Sequence, residues 1–144
     1  MSLEYKAFMD AVTSEILETL LDDWTYLASV AAIVAEVEKS HNVDLPTREE
    51  SISGLDPVLE ARIATTLHVL RSMLSRHLLV PGELRPRFVA WTGDHSEWIA
   101  RIDAGWREFG YDLSISDVCW FEITDEGRRF LEARAIAKND DAFN

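Results

Sequence analysis

The sequence predicts an α+β domain that is mostly helical, with about five helices and a small antiparallel sheet of two to three strands. Three observations carry that expectation. Apolar residues recur at three- and four-residue spacing through most of the chain, as amphipathic helices require. One segment, Val118–Thr124 (VCWFEIT), alternates with period two instead, which is the pattern of a strand with one covered face. The 144 residues, 47% hydrophobic and 28% charged, are enough to close one core without disulfides or a metal, so residues 1–144 read as a single domain.

The first segment, Leu3–Leu21, sets Met9, Val12, Ile16 and Leu20 on one face and acids on the other. Asp22 and Asp23 interrupt that stripe, and Asp23 is a good N-cap for a second helix starting near Trp24. Leu27, Val30 or Ala31, Val34 and Val37 line its apolar side. Lys39 falls in the last turn, where the helix dipole favours a cation, and the helix ends by about His41. The stretch His41–Asp56, broken by Pro46 and Gly54, reads as a long connection holding at most one short helical turn, for which Thr47 and Glu50 have capping-box spacing.

Asp56-Pro57 is the strongest helix start in the chain, an N-cap followed by proline at the first helical position. Ile63, Leu67, Leu70 and Leu74 then form a core-facing stripe to about His77. Leu78-Leu79-Val80 reads as a short strand closed by Pro81-Gly82, and Arg87–Thr92 (RFVAWT) as its hairpin partner. Asp94 and Glu97 repeat the capping-box spacing ahead of Trp98, Ile102 and Trp106, a fourth helix of about residues 95–109 stopped by Gly110. After the Val118–Thr124 strand, Thr124 caps a last helix running from Asp125 to about Ala137, and residues 138–144 are expected to fray.

Two stretches resemble the winged-helix superfamily. LRSMLSRHLLVPGEL, Leu70–Leu84, looks like the end of a recognition helix entering the first wing strand. CWFEITDEGRRFLEA, Cys119–Ala133, is similar to the last wing strand of bacterial winged-helix regulators, where an aromatic strand meets an Ile-Thr-x-x-Gly turn and a closing helix. That turn has a physical logic: Thr124 caps the helix while Gly127 lets its first turn approach a neighbouring backbone. The resemblance implies a winged-helix-like fold, with Arg62, Arg71 and Arg76 on the recognition helix and Arg85 and Arg87 in the wing as nucleic-acid candidates. Solvation of an exposed helix and pairing with the abundant carboxylates is the favoured account of the same arginines. Two departures from the pattern stand out. A helix-turn-helix needs a turn of about three or four residues, whereas His41–Asp56 intervenes here. A whole helix also replaces the short basic wing.

Charge points away from nucleic acid. The net charge is −12, and an acidic surface repels the phosphates that supply most nucleic-acid affinity. Residues 1–60 carry 13 acidic and 3 basic side chains, and residues 61–107 carry 4 and 7, so only the middle of the chain could meet a polyanion. No stretch approaches the ~18 apolar residues of a membrane span. Met1–Asp10 lacks the basic start and apolar run of a signal peptide, and the lone Cys119 lies in an apolar segment as a buried structural thiol. Both features suggest the cytoplasm.

Catalytic and metal-binding patterns are not found. His41, His68, His77 and His95 are scattered, Glu49-Glu50 and Asp22-Asp23 are sequence neighbours that point apart, and neither a phosphate-binding loop nor a nucleophile motif occurs. No catalytic residue, metal or cofactor is therefore assigned. The expected function is that of a non-enzymatic protein-binding module, similar in size and acidity to bacterial toxin-immunity proteins, that neutralises a basic partner. Its protein-contact candidates are Trp91, Trp120, Glu122, Glu49 and Glu50, with Trp91 and Trp120 expected to be partly exposed. The alternative is a winged-helix transcription regulator, dimeric through residues 3–21.

Overall fold

The computed structural model describes residues 3–41, 56–109, 113 and 118–142. Among these are five helices and one four-stranded antiparallel sheet: α1 (Leu3–Asp22), β1 (Thr25–Tyr26), α2 (Leu27–Lys39), α3 (Pro57–Ser75), β2 (Leu79–Leu84), β3 (Phe88–Ala90), α4 (His95–Phe109), β4 (Trp120–Ile123) and α5 (Asp125–Ala142). The protein is thus α+β and mostly helical. In the sheet the strands lie in the order β1-β4-β2-β3.

The expected stripes face one core. Met9, Val12, Ile16 and Leu20 of α1, Leu27, Val30, Ala31, Val34 and Val37 of α2, and Ile63, Leu67, Leu70 and Leu74 of α3 are all buried. The α1 stripe is thus spent inside the molecule, and Leu3 and Leu21 at the two ends of residues 3–21 are exposed. Both predicted caps around α3 and α4 form. Asp56 accepts a 2.8 Å hydrogen bond from the Val58 amide with Pro57 at the first position. Asp94 and Glu97 bond each other's backbone amides at 3.0 and 3.4 Å.

Three elements differ from the sequence reading. Helix α2 starts at Leu27, three residues late, because Thr25 and Tyr26 pair with Phe121 and Trp120 as strand β1. Asp23 does not cap it; its carboxylate accepts from the Trp24 amide, and the first helical N–H, that of Leu27, finds the Cys119 carbonyl at 3.2 Å. Strand β2 is not closed by Pro81-Gly82 but runs through both to Leu84. Proline is tolerated there because the Pro81 carbonyl, which accepts from Trp91 N at 2.9 Å, faces the β3 side just beyond the end of β3, so its missing N–H interrupts no ladder bond within either paired strand. Helix α5 continues to Ala142 rather than stopping near Ala137.

The junction of α3, β2, β4 and α5 is built from backbone groups. Helix α3 ends with His77 in the left-handed region (φ 58°), the His77 amide bonded to Leu74 O at 3.1 Å and the Leu78 amide to Met73 O at 3.0 Å, a Schellman cap. The Thr124 hydroxyl donates to His77 O and accepts from the Gly127 amide at 3.0 Å, while Thr124 N donates to Leu78 O at 3.2 Å. Gly127 lies so close beneath this corner that a Cβ would stand 2.2 Å from Leu78 O and 2.7 Å from Ile123 Cγ1. The Thr-x-x-Gly turn therefore does what its residues suggest.

Gly127→Ala is accordingly expected to cost about 1–3 kcal/mol, read from urea unfolding midpoints, because the contact is with rigid backbone. A second expectation concerns His68, whose Nε2 shares a 2.7 Å hydrogen bond with the Tyr5 hydroxyl across α1 and α3. Burial, aided by the charge of Arg71, lowers its pKa below the usual imidazole value. The folded chain then binds fewer protons than the unfolded chain as pH drops through about 6.5, so stability present above that pH is lost on acidification. Unfolding measured at pH 7.5 and 5.5 should show a larger loss for the native sequence than for His68→Gln.

Candidate protein-contact face

The sheet has one covered and one open side. Register places Thr25, Phe121, Ile123, Leu79 and Pro81 on the inner face, all buried, with β4 packed against α1. The outer face carries Tyr26, Trp120 and Glu122, with Val80, Leu84 and Phe88 beside them, all half-buried, and the buried Gly82 between. Their alternation is the direct consequence of the period-two side-chain direction of a strand.

Aromatic rings crowd this outer face. Trp24, just before β1, and Phe88, on the opposite edge, reach over the sheet and stack with centroids 6.3 Å apart and planes 17° from parallel. Tyr26 meets Trp120 edge-on at 5.4 Å. Gly82 makes the crossing possible: a Cβ there would lie 2.7 Å from the Phe88 ring and 2.3 Å from Val89 O. Among the rings stands the Glu122 carboxylate, with Trp24 Nε1 3.5 Å from its Oε1. Trp24 itself is 36% exposed, so the cluster opens to solvent. Asp22 and Asp23 border it and are exposed.

Of the five residues expected at a protein contact, Trp120 and Glu122 share this face, and Trp120 is half-buried as expected. Trp91 is not there. It continues the inner parity of Glu83 and Val89, is only 8% exposed, and lies under Arg101 of α4, whose guanidinium carbon is 3.7 Å from the ring centroid. Glu49 and Glu50, with the short turn expected around them, lie outside the described residues. Trp24, Tyr26 and Phe88 escaped the sequence reading. The helical pattern that follows absorbs Trp24 and Tyr26, and a two-residue strand leaves no period to detect.

The candidate nucleic-acid arginines do not converge. Arg62 and Arg71 are nine residues apart, two and a half turns at about 3.6 residues per turn, and so point to opposite sides of α3. Arg76 lies over the Phe130 ring at 5.2 Å, and Arg85 pairs with Glu83 at 2.6 Å. Arg87 is exposed in the β2–β3 turn, while α3 itself is packed against α1, α2 and α4. Arg107 bridges Glu60 of α3 and Asp103 of α4, and the hydrogen bond to Glu60 raises its pKa further.

Among the described residues no group of three or more His, Cys, Asp and Glu side chains could hold a metal ion, and no helix is long and apolar enough to cross a membrane. In comparisons with known proteins, no family model, no curated protein and no solved structure matches this chain. Cys119 is buried, and desolvation pushes its thiol pKa well up despite the opposing charge of Arg101. It should stay unmodified by a thiol-specific reagent in native protein at pH 7.5 and react stoichiometrically in denaturant. Rapid native labelling would contradict that burial.

Proposed function

We propose that the protein is a non-enzymatic binding module of the immunity or antitoxin kind, acting in the cytoplasm to neutralise a basic protein partner. The observation that carries this reading is the outer sheet face, where four aromatic side chains share a surface with a carboxylate beside Trp24 on a chain of net charge −12. Aromatic residues supply contact area at little conformational cost, and carboxylates steer a cationic partner toward them. Elsewhere, two clusters of charged side chains pair among themselves, Glu60–Arg107–Asp103 and Arg85–Glu83–Arg101.

The scaffold is best described as winged-helix-like. Supporting that are the order of three helices, a β2–β3 hairpin, a returning strand and a closing helix, with α4 between β3 and β4, and the Thr124–Gly127 corner. The helix that a DNA-reading relative would present is packed here against three others and keeps only part of its surface open, which favours the protein-binding reading over a transcription regulator.

Calorimetry with the product of the adjacent gene should give a one-to-one complex, and stopped-flow mixing an association rate that falls about tenfold or more between low and high salt. Failure to bind that protein, together with a salt-sensitive gel shift on the chain's own upstream DNA, would transfer the assignment to the regulator.

A further inference from the structure

The inner side of the sheet contains a complete arrangement of indole, arginine and carboxylate. Arg101 lies 3.7 Å over the Trp91 ring and reaches Glu83 Oε1 with its Nη2 at 3.4 Å, so one guanidinium serves ring and carboxylate together. The outer side repeats two of those three parts. Glu122 stands beside the Trp24 indole and two residues along β4 from Trp120, yet among the described residues no lysine, arginine or histidine forms an ion pair with it. Glu122 is a half-buried residue whose carboxylate lies beside the Trp24 ring, so a cation placed there would meet both a charge and an aromatic face.

We propose that this gap receives a single arginine side chain of the basic partner, its guanidinium pairing with Glu122 while its plane lies on the neighbouring indole. The inference rests on the protein-binding reading and names the group that binding would recognise. Arginine fits better than lysine because its flat, weakly hydrated fork can stack on an aromatic face and donate in-plane hydrogen bonds at the same time. A second copy of this chain fits worse, since it would bring another net charge of −12 and another Glu122 to the same surface.

The test is a titration of the full chain at low salt with a blocked tri-arginine peptide, read by tryptophan fluorescence and calorimetry, against the same peptide with citrulline or lysine in place of arginine. Citrulline has nearly the same shape without the charge. The arginine peptide should bind at least about tenfold more tightly than the citrulline peptide and measurably more tightly than the lysine one. Glu122→Gln should weaken arginine binding about tenfold, Trp24→Phe should narrow the preference for arginine over lysine, and Glu18→Gln on the exposed side of α1 should change affinity less than twofold. Unchanged thermal melts establish that these surface variants fold. Equal losses from Glu122→Gln and Glu18→Gln would reduce the effect to net charge and overturn the proposal. If the adjacent-gene partner binds but neither the arginine peptide nor Glu122→Gln has any effect, the arginine site is refuted while the binding module stands. If that partner also fails to bind, the functional reading itself falls.

Discussion

A single hydroxyl ties the end of α3 to the start of α5 at the corner from which the sheet is entered. Thr124 donates to the His77 carbonyl at the end of α3 and accepts from the Gly127 amide at the start of α5, so one side chain closes one helix and opens another. Leu78, between them, gives its amide to the Schellman cap and its carbonyl to Thr124 N. With His77 and Leu78 fixed, Leu79 must enter the sheet opposite Ile123. Every later pairing of β2 follows from that first one, because a slip by one residue would exchange the buried and open faces of the whole strand.

The same constraint decides which side chains meet solvent. Pinning Leu79 to Ile123 sends Phe121 inward and Trp120 and Glu122 outward, and β1 then matches Tyr26 to Trp120. The outer aromatic face is thus positioned by a backbone register that starts at the Thr124 corner and runs through its own strands. Gly82 contributes from within the face by leaving room for Phe88 to lie across the strand toward Trp24.

The helices were largely legible from sequence because each signal is local: a stripe at helical spacing, an Asp-Pro start, a reciprocal Asp94–Glu97 cap. The Thr-x-x-Gly corner was legible for the same reason, since a cap and a close approach each demand particular residue types. What could not be read depends on partners far along the chain. Asp23 looks like an N-cap until Phe121 and Trp120, nearly a hundred residues later, draw Thr25 and Tyr26 into a strand. Pro81-Gly82 looks like a stop until one knows that the missing N–H faces the spot where β3 has ended. The candidate site was half legible. Glu122 and Trp120 stand out within an alternating strand, whereas Trp24, Tyr26 and Phe88 join them only through sheet order, and parity carries Trp91 to the other side.

The two rims of the sheet carry a further meaning. One is formed by β1, two residues long, and the other by β3, three residues long and entered from a turn holding two arginines. Rims this short offer too few free amides and carbonyls to template an added strand, and flanking charge discourages it further. A binding partner, or an unfolded neighbour, gains almost nothing here from generic backbone pairing. What the sheet offers to its surroundings is therefore side chains on its flat rather than backbone at its rims, so its chemistry is set by residue identity.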